Sequence, residues 1–136
     1  MPEDKKKAFS LDSLIEAVNK TGGISVDQLA VGDVVKVRTL NTVYTFLIKN
    51  PAERLAEATS NGRHITARTE VFIEGSKANQ WTSMIASGQI IVGLFLEIYI
   101  NDESIPQDQR ILWLSQTKSI SVNGCTLMPP QNNKVN

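Results

Sequence analysis

The chain has 136 residues, of which 41% are hydrophobic and 21% charged. This composition is typical of one soluble globular domain and not of a disordered segment. The 14 basic and 14 acidic residues give a formal net charge of zero, which argues against a dedicated binder of duplex DNA or another polyanion. Cys125 is the single cysteine and His64 the single histidine, so one chain can form neither a disulfide nor a metal site of several thiolates or imidazoles.

The start of the chain predicts a polar tail and then a short helix. Residues 1–8 are mostly polar, and we expect them to be disordered. Ser10 is a suitable helix N-cap, and Gly22–Gly23 would end the helix. Between these signals, over residues 11–20, apolar residues recur at the spacing of one helical face: Leu11, Leu14, Ile15 and Val18. Because only one side is apolar, we expect this helix to pack on a sheet.

Two consecutive strands follow a Gly-Asp turn at Gly32–Asp33. Residues 34–40 and 42–49 alternate apolar and polar side chains with the period of two that is typical of a half-buried strand. Their apolar residues are Val35, Val37, Val43, Tyr44, Phe46 and Ile48. Residues 55–59 and 64–73 flank Asn61–Gly62, a strong signal for a tight hairpin.

Residues 89–100 predict one central strand that is apolar on nearly both faces, with a bend or bulge at Gly93. Residues 110–115 and 118–122 predict the last strand or strand pair, and residues 129–136 a disordered tail. The predicted fold is mainly β: a small antiparallel β-barrel or strongly curled sheet with one N-terminal α-helix. We expect residues 9–128 to form one such domain.

The long connection over residues 74–88 is a candidate ligand or partner site, because long ordered loops are often functional. Its hydrogen-bonding and aromatic side chains are Lys77, Asn79, Gln80, Trp81 and Thr82. The competing interpretation is that Trp81 folds down as a lid on the core while Met84 and Ile85 form a short strand. The high average burial of tryptophan favours the lid.

A second hypothesis is weak binding of single-stranded nucleic acid. Four basic residues on neighbouring strands would track the phosphates: Lys36, Arg38, Arg63 and Arg68. Tyr44 or Trp81 would then stack on a base. With zero net charge, we expect such binding to be indifferent to sequence and to fade as salt rises. A helix-turn-helix reading of residues 11–31 fails, because ISVDQLAV is too short and lacks arginine and lysine.

Catalysis has little support in the sequence, and no cofactor or metal is expected. His64 follows the Asn-Gly turn, where a structural role is more common than general-base work, so an enzyme using His64 is a remote alternative. Gly22–Gly23 follows a helix, whereas a phosphate-binding loop places its glycines ahead of one. No apolar run is long enough to span a membrane and no signal peptide is evident, so we expect a cytoplasmic protein.

Four short motifs resemble a group of small bacterial all-β proteins of unassigned role. They are TLNTVYTF at 39–46, SNGR at 60–63, EGS at 74–76 and G-x-x-L-E at 93–97. The resemblance covers residues 29–122 and implies a compact barrel of SH3-like size, with no particular activity.

The sequence therefore favours a non-enzymatic binding or assembly module. Apolar side chains on both faces of the late strands predict a homo-oligomer or a protein partner, with Phe95 and Trp113 in the interface.

Overall fold

A computed structural model of the chain describes residues 22–62, 65, 67–79 and 81–127. The helix predicted over residues 11–20 and the tails predicted at 1–8 and 129–136 lie outside the described residues.

The described residues are mainly β, with short strands separated by turns. The strands are β1 (Gly23–Ser25), β2 (Val34–Arg38), β3 (Val43–Asn50), β4 (Leu55–Ser60), β5 (Thr69–Lys77), β6 (Ala86–Ser87), β7 (Gln89–Ile91), β8 (Phe95–Ile100), β9 (Ile111–Gln116), β10 (Ser119–Val122) and β11 (Cys125–Thr126). Single turns of 3₁₀ helix occupy Val26–Gln28, Pro51–Glu53 and Gln107–Gln109.

One large antiparallel sheet contains most of these strands, which confirms the predicted mainly-β, antiparallel class. Its order is β11-β10-β2-β3-β4-β5-β8-β9, and β6 pairs with the far end of β5. β1 and β7 form a separate two-stranded sheet. Most neighbours in the large sheet are also neighbours in sequence, but β10 reaches back to β2, where Ile120 lies opposite Val37.

The large sheet is not closed into a barrel by hydrogen bonds in the part of the chain that the structure describes. β9 and β11 stand at its two ends. The chain nevertheless passes from β9 to β10, near the opposite end, through Thr117 and Lys118 alone. Gln116 and Ser119 can therefore be at most about 11 Å apart, because consecutive Cα atoms are about 3.8 Å apart. The two ends of the sheet therefore approach each other at this corner, and the closed barrel of the prediction is not found among the described residues.

A single apolar core fills the inner face of the curled sheet. Along β3 the side chains alternate, so that Tyr44, Phe46 and Ile48 point inward and are at most 5% exposed. β4 contributes only small side chains to the same face. Ala58 lies opposite Phe46 and Ala56 opposite Ile48, so a large residue packs beside a small one. The core also takes residues from the strands on both sides of β3 and β4: Val35, Val37, Val71, Ile73, Leu96, Ile98, Leu114, Ile120 and Val122.

The prediction of one long strand over residues 89–100 is wrong. The chain forms β7, turns at Val92–Leu94 and continues as β8. Gly93 has a φ of 91°, a left-handed conformation that glycine adopts without a steric penalty. The turn sends β7 to pair with β1 and leaves β8 between β5 and β9.

The pairing of β4 with β5 is confirmed, but the tight Asn-Gly turn between them is wrong. Eight residues, 61–68, separate the two strands. The side chain of Asn61 accepts a hydrogen bond from the backbone N–H of Val43. The Ser60 hydroxyl accepts from Gly62 N–H and donates to the carbonyl of Ile65. These bonds organise a longer connection in place of a two-residue turn.

Thr117, at the corner between β9 and β10, yields a stability prediction. Its side chain is fully buried, and no described residue hydrogen-bonds its hydroxyl. A buried hydroxyl without a partner costs free energy that an apolar group of the same shape avoids. We expect Thr117→Val to raise the free energy of unfolding by about 1 kcal/mol, measured by urea denaturation.

Thr39 provides the matched control for this change. It is also buried, but its hydroxyl donates a hydrogen bond to the Thr42 carbonyl at 3.2 Å. Thr39→Val should therefore lower stability by about 1 kcal/mol, because it removes a satisfied hydrogen bond. Equal effects of the two substitutions would contradict the assignment of Thr117 as unpartnered.

Candidate interaction surface

The outer apolar surface lies on the solvent face of β5, β8 and β9 and consists of Phe72, Phe95, Tyr99, Ile111 and Trp113. Tyr99 lies between Phe72 and Ile111 in the strand register. The rings of Phe72 and Tyr99 are 6.5 Å apart and tilted by 40°. Ile111 is 41% exposed and Trp113 39% exposed. The residues predicted as the interface, Phe95 and Trp113, thus share this surface.

A charged cluster holds Trp113 in place. Oε1 of Glu97 accepts a hydrogen bond from Nε1 of Trp113 at 2.6 Å and from Nζ of Lys77 at 3.2 Å. The Lys77 ammonium also lies 5.8 Å from the centre of the Trp113 ring, within reach of a cation–π interaction. These contacts fix the tryptophan on a rigid sheet and leave its outer side in solvent. Such pre-ordering lowers the entropic cost of binding a partner.

Lys77 was predicted as a ligand-binding residue, but its ammonium group already forms an ion pair with the Glu97 carboxylate. The two side chains are only 11% and 15% exposed. Glu97 was not predicted as a site residue, although it ends the G-x-x-L-E motif at 93–97. The available signal was the i, i+2 alternation of Phe95, Glu97 and Tyr99, which places a carboxylate between two aromatic residues on one strand face.

The interpretation of Trp81 as a lid on the core is wrong. Trp81 is 87% exposed and Met84 is 79% exposed. The loop has its own turn structure, because the Asn79 side chain accepts hydrogen bonds from the backbone of Trp81 and Thr82. The Thr82 hydroxyl accepts another from Met84 N–H. Asn79 and Thr82 therefore shape the loop, and Trp81 and Met84 project from it. Gln80 lies outside the described residues.

The proposed nucleic-acid residues differ in exposure, and Trp81, one of the two candidates for stacking on a base, is 87% exposed. Lys36 and Arg38 are exposed on β2, but Tyr44 is 5% exposed in the core and cannot stack on a base. Burial raises the pKa of the Tyr44 phenol above 10.0, although a hydrogen bond with Thr42 partly lowers it. Arg68 lies 3.7 Å from the Glu57 carboxylate, which offsets its charge, and Arg63 is not among the described residues.

A shallow depression on the outer face of β3 and β4 has a volume of about 170 Å³ and is lined by Thr45, Leu47, Glu57, Thr59 and Arg68. This volume is below the several hundred Å³ of most small-molecule pockets. Lys49 and Arg68 both lie within 4 Å of the Glu57 carboxylate. The charges inside the depression are therefore already paired.

No cluster of three or more histidine, cysteine, aspartate or glutamate side chains suited to a metal ion occurs within the described ranges. Cys125 is half-buried in β11, and His64 lies outside those ranges. Asp102 accepts hydrogen bonds from the hydroxyl and backbone N–H of Ser104. These bonds lower the pKa of the Asp102 carboxyl below its usual value, and they stabilise a surface turn.

No family model, curated protein or solved structure matches this chain. Among the described residues, no helix is both long and apolar enough to cross a membrane.

Proposed function

We propose that this protein is a non-enzymatic assembly module that associates with itself through the outer apolar surface. The observation that carries the proposal is the exposure of Ile111 and Trp113 on the last strand of the large sheet. Single exposed apolar residues are common on protein surfaces. Exposed apolar residues grouped on a strand that ends a sheet more often belong to an interface.

The composition of the surface also favours a protein partner over a small molecule. It combines aromatic rings with an isoleucine and is convex, since it lies on the outside of a curled sheet. Small ligands usually bind in concave pockets, whereas buried aromatic residues supply much of the binding energy in protein interfaces. The Lys77–Glu97 pair beneath Trp113 supports the ring without presenting a free charge to the partner.

The test is the mass of the protein in solution, measured by light scattering over a micromolar concentration series. We expect the mass to approach twice the chain mass of 15.0 kDa as concentration rises. Ile111→Lys should weaken association by at least about tenfold, because the interface would have to bury an unpaired ammonium group.

Leu40→Lys is the control, because Leu40 is 75% exposed in the turn between β2 and β3 and lies off the outer apolar surface. It should leave the association unchanged. A mass that stays at 15.0 kDa at every concentration would overturn the proposal, and equal effects of the two lysine substitutions would place the interface elsewhere.

A further inference from the structure

We infer that β9 pairs edge to edge with β9 of a second copy of this chain, antiparallel and centred on Leu112. The inference rests on the proposed function and specifies the contact that would make the assembly. Three features support it. The first is the set of backbone groups of β9 that point away from β8. The other two are the weak protection of this edge and the residue pairs that form when two copies of β9 lie side by side.

The backbone of β9 has one side bonded to β8 and one side without a described partner strand. Ile100 N–H donates to the Arg110 carbonyl at 2.7 Å, so Arg110 and Ile100 form a hydrogen-bonded pair. Hydrogen bonds alternate along an antiparallel ladder, and the register from Ile100 to Glu97 has no shift. Leu112 therefore also faces β8, whereas the N–H and C=O groups of Ile111 and Trp113 point away from the sheet.

Among the described residues, the edge at Ile111–Trp113 lacks most of the devices that normally prevent strand addition, although β9 carries a register shift between Trp113 and Gln116. Residues 111–116 contain no charged residue, proline or glycine, and lysine or proline are the usual protectors of an exposed edge. Arg110 is adjacent, but its guanidinium is turned back onto its own loop. It donates to the carbonyls of Ile105 and Glu103 and to the Tyr99 hydroxyl. The opposite edge strand, β11, has only two residues.

A second copy can pair with this edge in a symmetric register centred on Leu112. The outward groups of Ile111 bond the partner's Trp113, and those of Trp113 bond the partner's Ile111. Leu112 then lies opposite the partner's Leu112 on the twofold axis, as a closed dimer requires. On the outer face each isoleucine lies beside a tryptophan, which is a favourable cross-strand combination.

The same register keeps like charges apart. Arg110 lies opposite the partner's Leu114, so the two arginines are separated by four residues along the strand direction, or about 14 Å. This distance exceeds the screening length of about 8 Å at physiological ionic strength. Because residues 111–116 carry no charge, nothing in the strand selects a charged peptide over another copy of itself.

Disulfide trapping tests the register. In a Cys125→Ser background, Leu112→Cys places two cysteines at a non-hydrogen-bonded pair, where Cα atoms are about 4.5 Å apart, within the range that a disulfide spans. We expect diamide to convert most of the protein to a covalent dimer. Ser115→Cys, on the same strand, is the control. The two introduced thiols would be six residues apart, about 20 Å, and should not cross-link.

A second pair of variants isolates the backbone hydrogen bonds without depending on Leu112. Trp113→Ala and Trp113→Pro both remove the indole, but only the proline removes the outward N–H, which β8 does not use. Proline is tolerated at such a position of an edge strand. By symmetry it removes two of four intermolecular hydrogen bonds, so we expect the proline variant to dissociate about tenfold more readily than the alanine variant.

The outcomes separate this inference from the proposed function. If the wild-type protein is a dimer, Leu112→Cys does not cross-link, and the two Trp113 variants dissociate equally, the assembly uses the outer face without edge pairing, and the inference fails alone. If the wild-type protein remains a monomer throughout the concentration series, both fail. Cross-linking at Ser115→Cys in place of Leu112→Cys would overturn the register.

Discussion

Phe46→Ala should lower the free energy of unfolding by about 3–5 kcal/mol, as expected when a buried phenylalanine is truncated. Phe46 is fully buried near the middle of β3, between Val35 of β2 and Ala58 of β4. Its neighbours in β4 are alanines, which cannot move far enough to fill the space that the ring would leave. A domain with a total stability of about 5–15 kcal/mol would lose a large share of it.

Leu47→Ala is the control, because Leu47 is the next residue of β3 and points to the outer face, where it is 36% exposed. We expect this change to cost about 1 kcal/mol or less, since much of the side chain is already in water. Urea denaturation monitored by circular dichroism measures both variants. Similar costs for the two substitutions would contradict the assignment of Phe46 to the inner face.

Alternation along the strands made the inner face of the sheet predictable from the sequence. In β2 and β3 the period-two pattern assigns Val35, Val37, Phe46 and Ile48 to one side, and the structure buries all four. This works because neighbouring side chains of a strand point to opposite faces wherever the strand lies in the fold. A shift of one residue would move every side chain of the strand to the opposite face. A long regular alternation is therefore strong evidence for which face is buried.

Strand order was not predictable in the same way. β10 pairs with β2 across more than 80 residues of sequence, and both are short strands with ordinary alternation. Nothing local distinguishes an edge strand such as β9 from a central one. The turn at Val92–Leu94 was also not predictable from the sequence. Its apolar residues suit a buried strand as well as a turn that packs on the core.

The position of Trp81 was mispredicted because an average over proteins was applied to a locally ordered loop. Tryptophan is buried on average, but Asn79 and Thr82 form side-chain turns that direct the loop outward. Asn79 precedes Thr82 by three residues, which is a recognisable pattern for such turns. This turn pattern favours an exposed position for Trp81 over burial in the core.

Gly75→Ala should lower the free energy of unfolding by roughly 2–5 kcal/mol, because two separate costs add. Gly75 lies in β5 beside a register shift and pairs with Ser87 of β6 on one side and Glu97 of β8 on the other. Its φ is 143°, which strains any residue that has a Cβ. The added methyl group would also overlap the carbonyl oxygen of Ala86 and lie 2.9 Å from its carbonyl carbon. The backbone of β6 must therefore move.

Gly93→Ala separates the two costs. Gly93 has a φ of 91° in the turn between β7 and β8, but no atom lies within 4 Å of the position that a Cβ would take. It should therefore show the conformational strain alone, about 1–2 kcal/mol. The difference between the two variants in urea denaturation measures the close approach of β6 to β5, the contact at the base of the loop that carries Trp81. If Gly75→Ala costs no more than Gly93→Ala, β6 is held too loosely to position that loop.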